Sequence, residues 1–332
     1  MAWTVAIGVD THKDIHVAVA CNRLGAQLDV CEIEAGSRGY ARLLAWAQEL
    51  GEPAFAIEGC GSYGSGLARF LTAAGYAVWE CERPRRRDRR RGKSDLIDAA
   101  LAARRLLSGD GLSLPRSGER HDGLRLLLLE RRGIVQAQTA ALNQLQAAVL
   151  TPTLPERLRS LGGERLVRAC LTLRAGSTER AVARRLARRI RQLDHELAEV
   201  DTQLRAAITS CAQPLLDECG VGVICAAQMI VSTGDARRMR SEAAFAALAG
   251  TSPVDASSGR QQRHRLNRGG DRQLNRALHI IALSRIRHHE QTRAYYQRLL
   301  ASGKTSREAR RCVKRALARH LYRQLRALPI TT

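Results

Sequence analysis

A largely apolar run from Trp3 to Val9 stops at Asp10, and a short apolar run bounded by polar residues predicts a buried strand. After Thr11-His12-Lys13-Asp14, the segments Ile15 to Cys21 and Gln27 to Ile33 predict two further strands. They lie close enough in sequence to form an antiparallel meander. The spacing then predicts a helix from about Tyr40 to Leu50, and Ala54 to Ile57 predicts a fourth strand ending at Glu58. Gly59, Gly61 and Gly64 mark a turn into a helix that runs through Ala74, and Tyr76 to Glu80 predicts a fifth strand. A meander followed by alternating helix and strand predicts a ribonuclease-H-like α+β fold, although alternation alone also fits other α/β folds.

Ser94 is a helix N-cap residue by type, and the helix it opens is predicted to run to about Leu107. Ser108-Gly109-Asp110-Gly111 and Pro115 mark a boundary. From His121 to Leu150 and from Thr178 to Ile208, apolar residues recur every three or four positions among charged ones, predicting two long helices. Leu186, Ile190, Leu193, Leu197 and Val200 trace one stripe, which fits either intrachain packing or a dimeric coiled coil. These shifts divide the chain into residues 1–108, a helical or coiled-coil region at 109–210, and a mainly α-helical region at 211–332. Gly220-Val221-Gly222 followed by Ala226 reads either as the hairpin of a helix-hairpin-helix or as a plain helix turn. Glu218 stands there at a position usually apolar.

Composition narrows the function. Hydrophobic residues make up 45% of the 332 positions but aromatics only 4%, so Ala, Leu, Val and Ile must fill the interior, which argues against an all-β protein. The formal charge of +22 calls for a polyanionic partner, nucleic acid first. The segment from Thr251 to Thr332 holds nineteen Lys or Arg against four Asp or Glu. A second basic cluster, Arg85, Arg86, Arg87, Arg89, Arg90, Arg91 and Lys93, precedes the Ser94 helix, and Arg263, Arg265, Arg268 and Arg272 are further candidate phosphate ligands. No run of 18 apolar residues and no signal-peptide layout occurs, so a cytoplasmic protein is expected. The nine cysteines have no C-x-x-C spacing and read as reduced thiols.

The chemistry resides in carboxylates. Asp10 and Glu58 close predicted strands, and Asp95 and Asp98 stand three apart on one helix face. In a ribonuclease-H-like fold these positions converge, and four gathered acids repel unless cations lie between them. Oxygen ligands suit Mg²⁺, with Mn²⁺ as the alternative, and two such ions serve phosphoryl transfer. The plain alternative is a turn cap, a loop acid and two acids favouring a helix N-terminus.

GVDTHKDIHVAVA, IEGCGSYG and KSDLIDA strongly resemble the N-terminal domain of the DEDD transposases of bacterial insertion sequences, the IS-one-ten (IS110) type. AFAALAGTSPVDASSGRQQRHRLNRGGDRQLNRALHIIA resembles that family's second domain. The resemblance implies a RuvC-like domain, a coiled-coil insertion and a transposase domain. By position it carries the family's metal-binding acids onto Asp10, Glu58, Asp95 and Asp98, and its nucleophilic serine onto Ser258, with Ser257 adjacent. It further implies a transposase or site-specific recombinase acting on target and donor DNA. A structured noncoding bridge RNA would guide it, and strand exchange would pass through a covalent phosphoserine. The acids and Ser258 are about 160 residues apart, which suits a homodimer or homotetramer with a shared site. No G-x-x-x-x-G-K nucleotide-binding motif is present, as expected of exchange that conserves bond energy. Two other classes remain open at this level: a metal-dependent Holliday-junction resolvase using water, and a non-enzymatic nucleic-acid-binding protein.

Overall fold

The computed structural model describes residues 3–81, 94–115, 119–174, 176–255, 264–265, 267 and 269–328. Strands β1 (Val5–Thr11), β2 (Ile15–Cys21) and β3 (Gln27–Glu34) form the antiparallel meander. Helix α1 (Ser37–Glu49) leads to β4 (Pro53–Glu58), and α2 (Ser65–Ala73) leads to β5 (Val78–Cys81). Helix α3 (Asp95–Ser108) precedes the two-residue β6 (Leu112–Ser113). The six strands are ordered β3-β2-β1-β4-β5-β6, with β1–β4 and β4–β5 parallel and the other pairs antiparallel. This is the mixed sheet expected of a DEDD nuclease-like fold.

The two faces of that sheet differ in side-chain size, and this difference positions α3. Along β1 and β4, Val5, Ile7, Val9, Phe55 and Ile57 point to a face packed with Leu43, Leu67 and Leu71 from α1 and α2. The alternate positions, Ala6, Ala54 and Ala56, face Ala99, Ala102, Ala103 and Leu106 of α3. Gly8 belongs to the small-residue row. A β-carbon there would fall 2.0 Å from the Ala99 carbonyl oxygen and 2.2 Å from the Ala103 amide nitrogen. The helix backbone therefore lies directly on the strand. Gly8→Ala is expected to force α3 off the sheet and cost about 3 kcal/mol or more, the upper end of overpacking penalties, measurable as a lowered midpoint in urea unfolding.

Among the described residues beyond β6, the elements are helices apart from one short strand pair. Helix α4 (Glu119–Ala148) and α6 (Thr178–Leu216) lie antiparallel, joined by Arg131–Asp201 and Gln138–Asp194 hydrogen bonds of 2.6 and 2.5 Å. Helix α5 (Gly163–Leu171) packs at their far end through Leu166, Val167 and Cys170. The stripe on α6 is thus covered within one chain: Leu186 and Ile190 join the cluster at α5, and Leu193, Leu197 and Val200 join the one beyond it. Helix α6 kinks at Ala212 (φ −147°, ψ 34°), two residues before Pro214, which cannot donate the helical hydrogen bond.

Helices α7 (Val223–Thr233), α8 (Glu242–Leu248), α9 (Arg272–His288), α10 (Glu290–Ala301) and α11 (Ser306–Ala327) complete the fold. One core joins Leu124 and Leu128 of α4 to Leu204 and Ile208 of α6, Phe245 of α8, Leu274 and Ile281 of α9 and Leu321 of α11. Between α6 and α7, the unexpected acid Glu218 is partly buried and holds two basic side chains. Its carboxylate lies 3.0 Å from Arg285 Nη1 and 2.7 Å from His320 Nε2. Burial alone would raise its pKa, but those two hydrogen bonds hold it below the ordinary carboxylate range. The short strands β7 (Val254–Asp255) and β8 (His264–Arg265) pair antiparallel. The nine cysteines carry thiols and form no disulfide among the described residues.

One arginine ties the sheet to the helical region. Arg238, between α7 and α8, donates from Nη2 to Glu80 Oε2 and Ser113 Oγ, both at 2.8 Å. Its Nε donates to the Leu114 carbonyl at 2.7 Å, and Nη1 to the Thr233 carbonyl at 3.0 Å. The Arg238 and Glu80 side chains are only 7% and 9% exposed, so the pair is shielded from solvent.

Candidate metal centre

The pairing of β1 with β4 sets the site. Val9 opposes Ile57 in parallel register, so Asp10 and Glu58 follow side by side at the same sheet edge. Both continue the small-residue rows, Ala6-Gly8-Asp10 and Ala54-Ala56-Glu58, and so share the face covered by α3. Both are buried. Strand β1 continues one residue past Asp10, and Thr11 Oγ1 donates to the Glu58 carbonyl at 2.7 Å, fixing the two strand ends together. The chain then turns at Gly59, whose φ of +74° is left-handed and suits glycine.

Helix α3 brings the other two acids. The Ser94 hydroxyl accepts from the Ile97 amide at 3.3 Å, the N-cap expected from sequence, so Asp95 and Asp98 occupy the first turn. Because α3 rests on Gly8 through Ala99 and Ala103, that first turn lies over the Asp10 end of β1. Asp98 is buried, whereas the Asp95 side chain is half exposed. Burial, the largest cause, raises the Asp10 carboxyl above its ordinary pKa; neighbouring His12 opposes the shift, and Asp95 and Asp98 add to it. A carboxylate set under this repulsion accommodates a cation.

His12 is a member that sequence reading passed over as part of a polar turn. Its Nε2 lies 3.3 Å from Asp10 Oδ2 and 3.3 Å from Asp95 Oδ1, and the ligand atoms of all three lie within 4.8 Å of one another. The available signal was the two-residue spacing from Asp10 at a strand end, which returns a side chain to the same face.

Two family models match the chain. The IS110 DEDD model, described as a transposase, matches residues 7–155, and the model described as the transposase IS116/IS110/IS902 family matches residues 212–297. The chain belongs to the IS110 family of transposases. The insertion element IS110 uncharacterized 43.6 kDa protein of Streptomyces coelicolor is 38% identical over 91 residues. That match covers 27% of this chain and 22% of the relative, well under two thirds of its length.

In this IS110-family chain, Asp10, Glu58, Asp95 and Asp98 fall within the first match and Ser258 within the second. Ser258, its neighbour Ser257, Arg263 and Arg268 lie outside the described residues, as do Arg85, Arg86, Arg87, Arg89, Arg90, Arg91 and Lys93. Arg265 is in β8, and Arg272 opens α9 on the exposed surface. No helix among the described residues is long and apolar enough to cross a membrane.

Proposed function

We propose that this transposase is a DNA recombinase in which Asp10, Glu58, Asp95 and Asp98 hold divalent metal, Mg²⁺ or Mn²⁺, and Ser258 forms a covalent bond to DNA. The observation that carries the reading is the parallel β1–β4 register, which puts Asp10 and Glu58 on one face beneath the first turn of α3. A metal bound there would neutralise charge on the reacting phosphate and favour loss of the serine proton. The carboxylates orient that ion from two strands and one helix, a rigid support for the site. The Ser258 oxygen forms a bond to phosphorus as the bond to the departing sugar oxygen breaks, and that oxygen takes up a proton. A sugar hydroxyl of another strand then attacks the phosphoserine and restores the serine, so no nucleotide cofactor is needed.

The partners in this reading are donor and target DNA, a structured bridge RNA whose loops pair with both, and further copies of the chain as a homodimer or homotetramer. Base pairing supplies sequence choice, and the protein holds backbone through its arginines. The net charge of +22 and its concentration after residue 251 support phosphate contact.

The test is denaturing electrophoresis of protein incubated with guide RNA and labelled DNA. Wild type and Ser257→Ala should give a covalent protein–DNA adduct, and Ser258→Ala none, with nucleic-acid binding intact. An undiminished adduct in Ser258→Ala removes that serine from the mechanism. Cleavage without any adduct would instead favour a resolvase that uses water. Sequencing RNA that co-purifies with the protein checks the guide.

A further inference from the structure

We infer that His12 is a nitrogen ligand of the metal held by Asp10 and Asp95, and that it biases the centre towards Mn²⁺ over Mg²⁺. This rests on reading the acids as metal ligands, and it adds a residue outside the four-acid set. His12 Nε2 stands equally far, 3.3 Å, from a carboxylate oxygen on β1 and one on α3. In an octahedral shell with ligands at about 2.1 Å, neighbouring ligand atoms are about 3.0 Å apart. The two spacings that His12 already makes are therefore close to those between neighbouring ligands of one coordination shell, and all three ligand atoms lie within 4.8 Å of one another.

Backbone hydrogen bonds fix the turn that carries the ring. The His12 amide donates to the Ile15 carbonyl at 3.1 Å, closing the tight turn between β1 and β2, and the Ala35 amide donates to the Asp14 carbonyl at 2.9 Å. The imidazole thus projects from a hairpin directly continuous with the strand that carries Asp10. The His12 side chain is 50% exposed, so water or a phosphate oxygen has room to complete the shell. Imidazole nitrogen is a poor ligand for Mg²⁺, a hard ion that binds oxygen, and a better one for first-row transition metals. A site of Asp, His and Asp donors should accordingly rank Mn²⁺ above Mg²⁺ more strongly than carboxylates alone.

The experiment is pulsed electron paramagnetic resonance of the full-length protein loaded with Mn²⁺ alone, without nucleic acid, together with calorimetric titration of Mn²⁺ and Mg²⁺. Wild type should show nitrogen modulation of the manganese echo. His12→Ala should lose it, and Mn²⁺ affinity should fall by about tenfold or more while Mg²⁺ affinity changes less. Manganese bound without nitrogen modulation in the wild type would overturn the inference while leaving the carboxylate reading standing. Modulation that persists in His12→Ala would also overturn it. If wild type binds no Mn²⁺ in calorimetry, the metal reading fails and the role of His12 fails with it. The wild-type spectrum decides the matter even if the variant folds poorly.

Discussion

Asp10→Asn and Glu58→Gln are each expected to lower DNA strand cleavage by at least a hundred- to a thousandfold, the scale seen when a preorganised electrostatic group is removed. Each exchange preserves side-chain shape and deletes one charge, and both positions are buried at the end of a paired strand, so the fold is retained. Filter binding to DNA should hardly change, because most of the uncompensated positive charge lies elsewhere in the chain. The fold itself reports on the same group. The Asp10 carboxyl has its pKa raised, chiefly by burial. A group whose folded-state pKa is raised favours folding fully below its unfolded pKa and loses that contribution as pH rises through the folded value. In metal-free protein, ionisation of Asp10 as pH rises through that folded value therefore opposes folding. Asp10→Asn should raise the melting temperature of metal-free protein by a few degrees and abolish the extra stabilisation that Mn²⁺ gives the wild type. Oligonucleotide cleavage gels and paired melts with and without the ion measure both effects.

Arg238→Ala should be strongly destabilising, costing about 3–5 kcal/mol, because it removes the shielded ion pair with Glu80 together with the other hydrogen bonds that Arg238 donates. The same substitution strips donors from Ser113 Oγ and the Leu114 carbonyl, so the edge of the sheet at β6 loses its tie to the helical region. The double variant Glu80→Gln/Arg238→Met removes both charges and should recover a large part of that loss. A strongly favourable coupling energy in the cycle of Glu80→Gln, Arg238→Met and the double variant, read by chemical denaturation, confirms the pair. Additive losses would show that Arg238 acts through its carbonyl contacts instead.

The sheet was legible because its local signals agree. Each of the five predicted strands lies within two residues of its place, and Ser94 caps α3 as its side chain suggests. The alternation of small and large residues in VAIGVD and PAFAIE also encodes which face α3 covers, since only the row ending in Asp10 and Glu58 is small enough. The remainder depends on distant partners. The apolar stripe of α6 fits two kinds of packing, and only α4 and α5 decide between them. Extension of α6 beyond Ile208 to Leu216 runs through Pro214, a residue that ordinarily argues for an end, and a kink accommodates it. Glu80 and Arg238 are 158 residues apart, and neither carries a local mark of the pairing. A single histidine in a polar turn likewise has no periodicity, so the contacts of His12 become visible only once β1 and α3 meet.

Anomalous diffraction from crystals of the full-length protein grown with Mn²⁺ tests whether the four acids share one metal-binding centre. Manganese peaks are expected within coordination distance of Asp10, Glu58, Asp95 and Asp98. Strong manganese peaks elsewhere, with these carboxylates holding none, would contradict a shared centre.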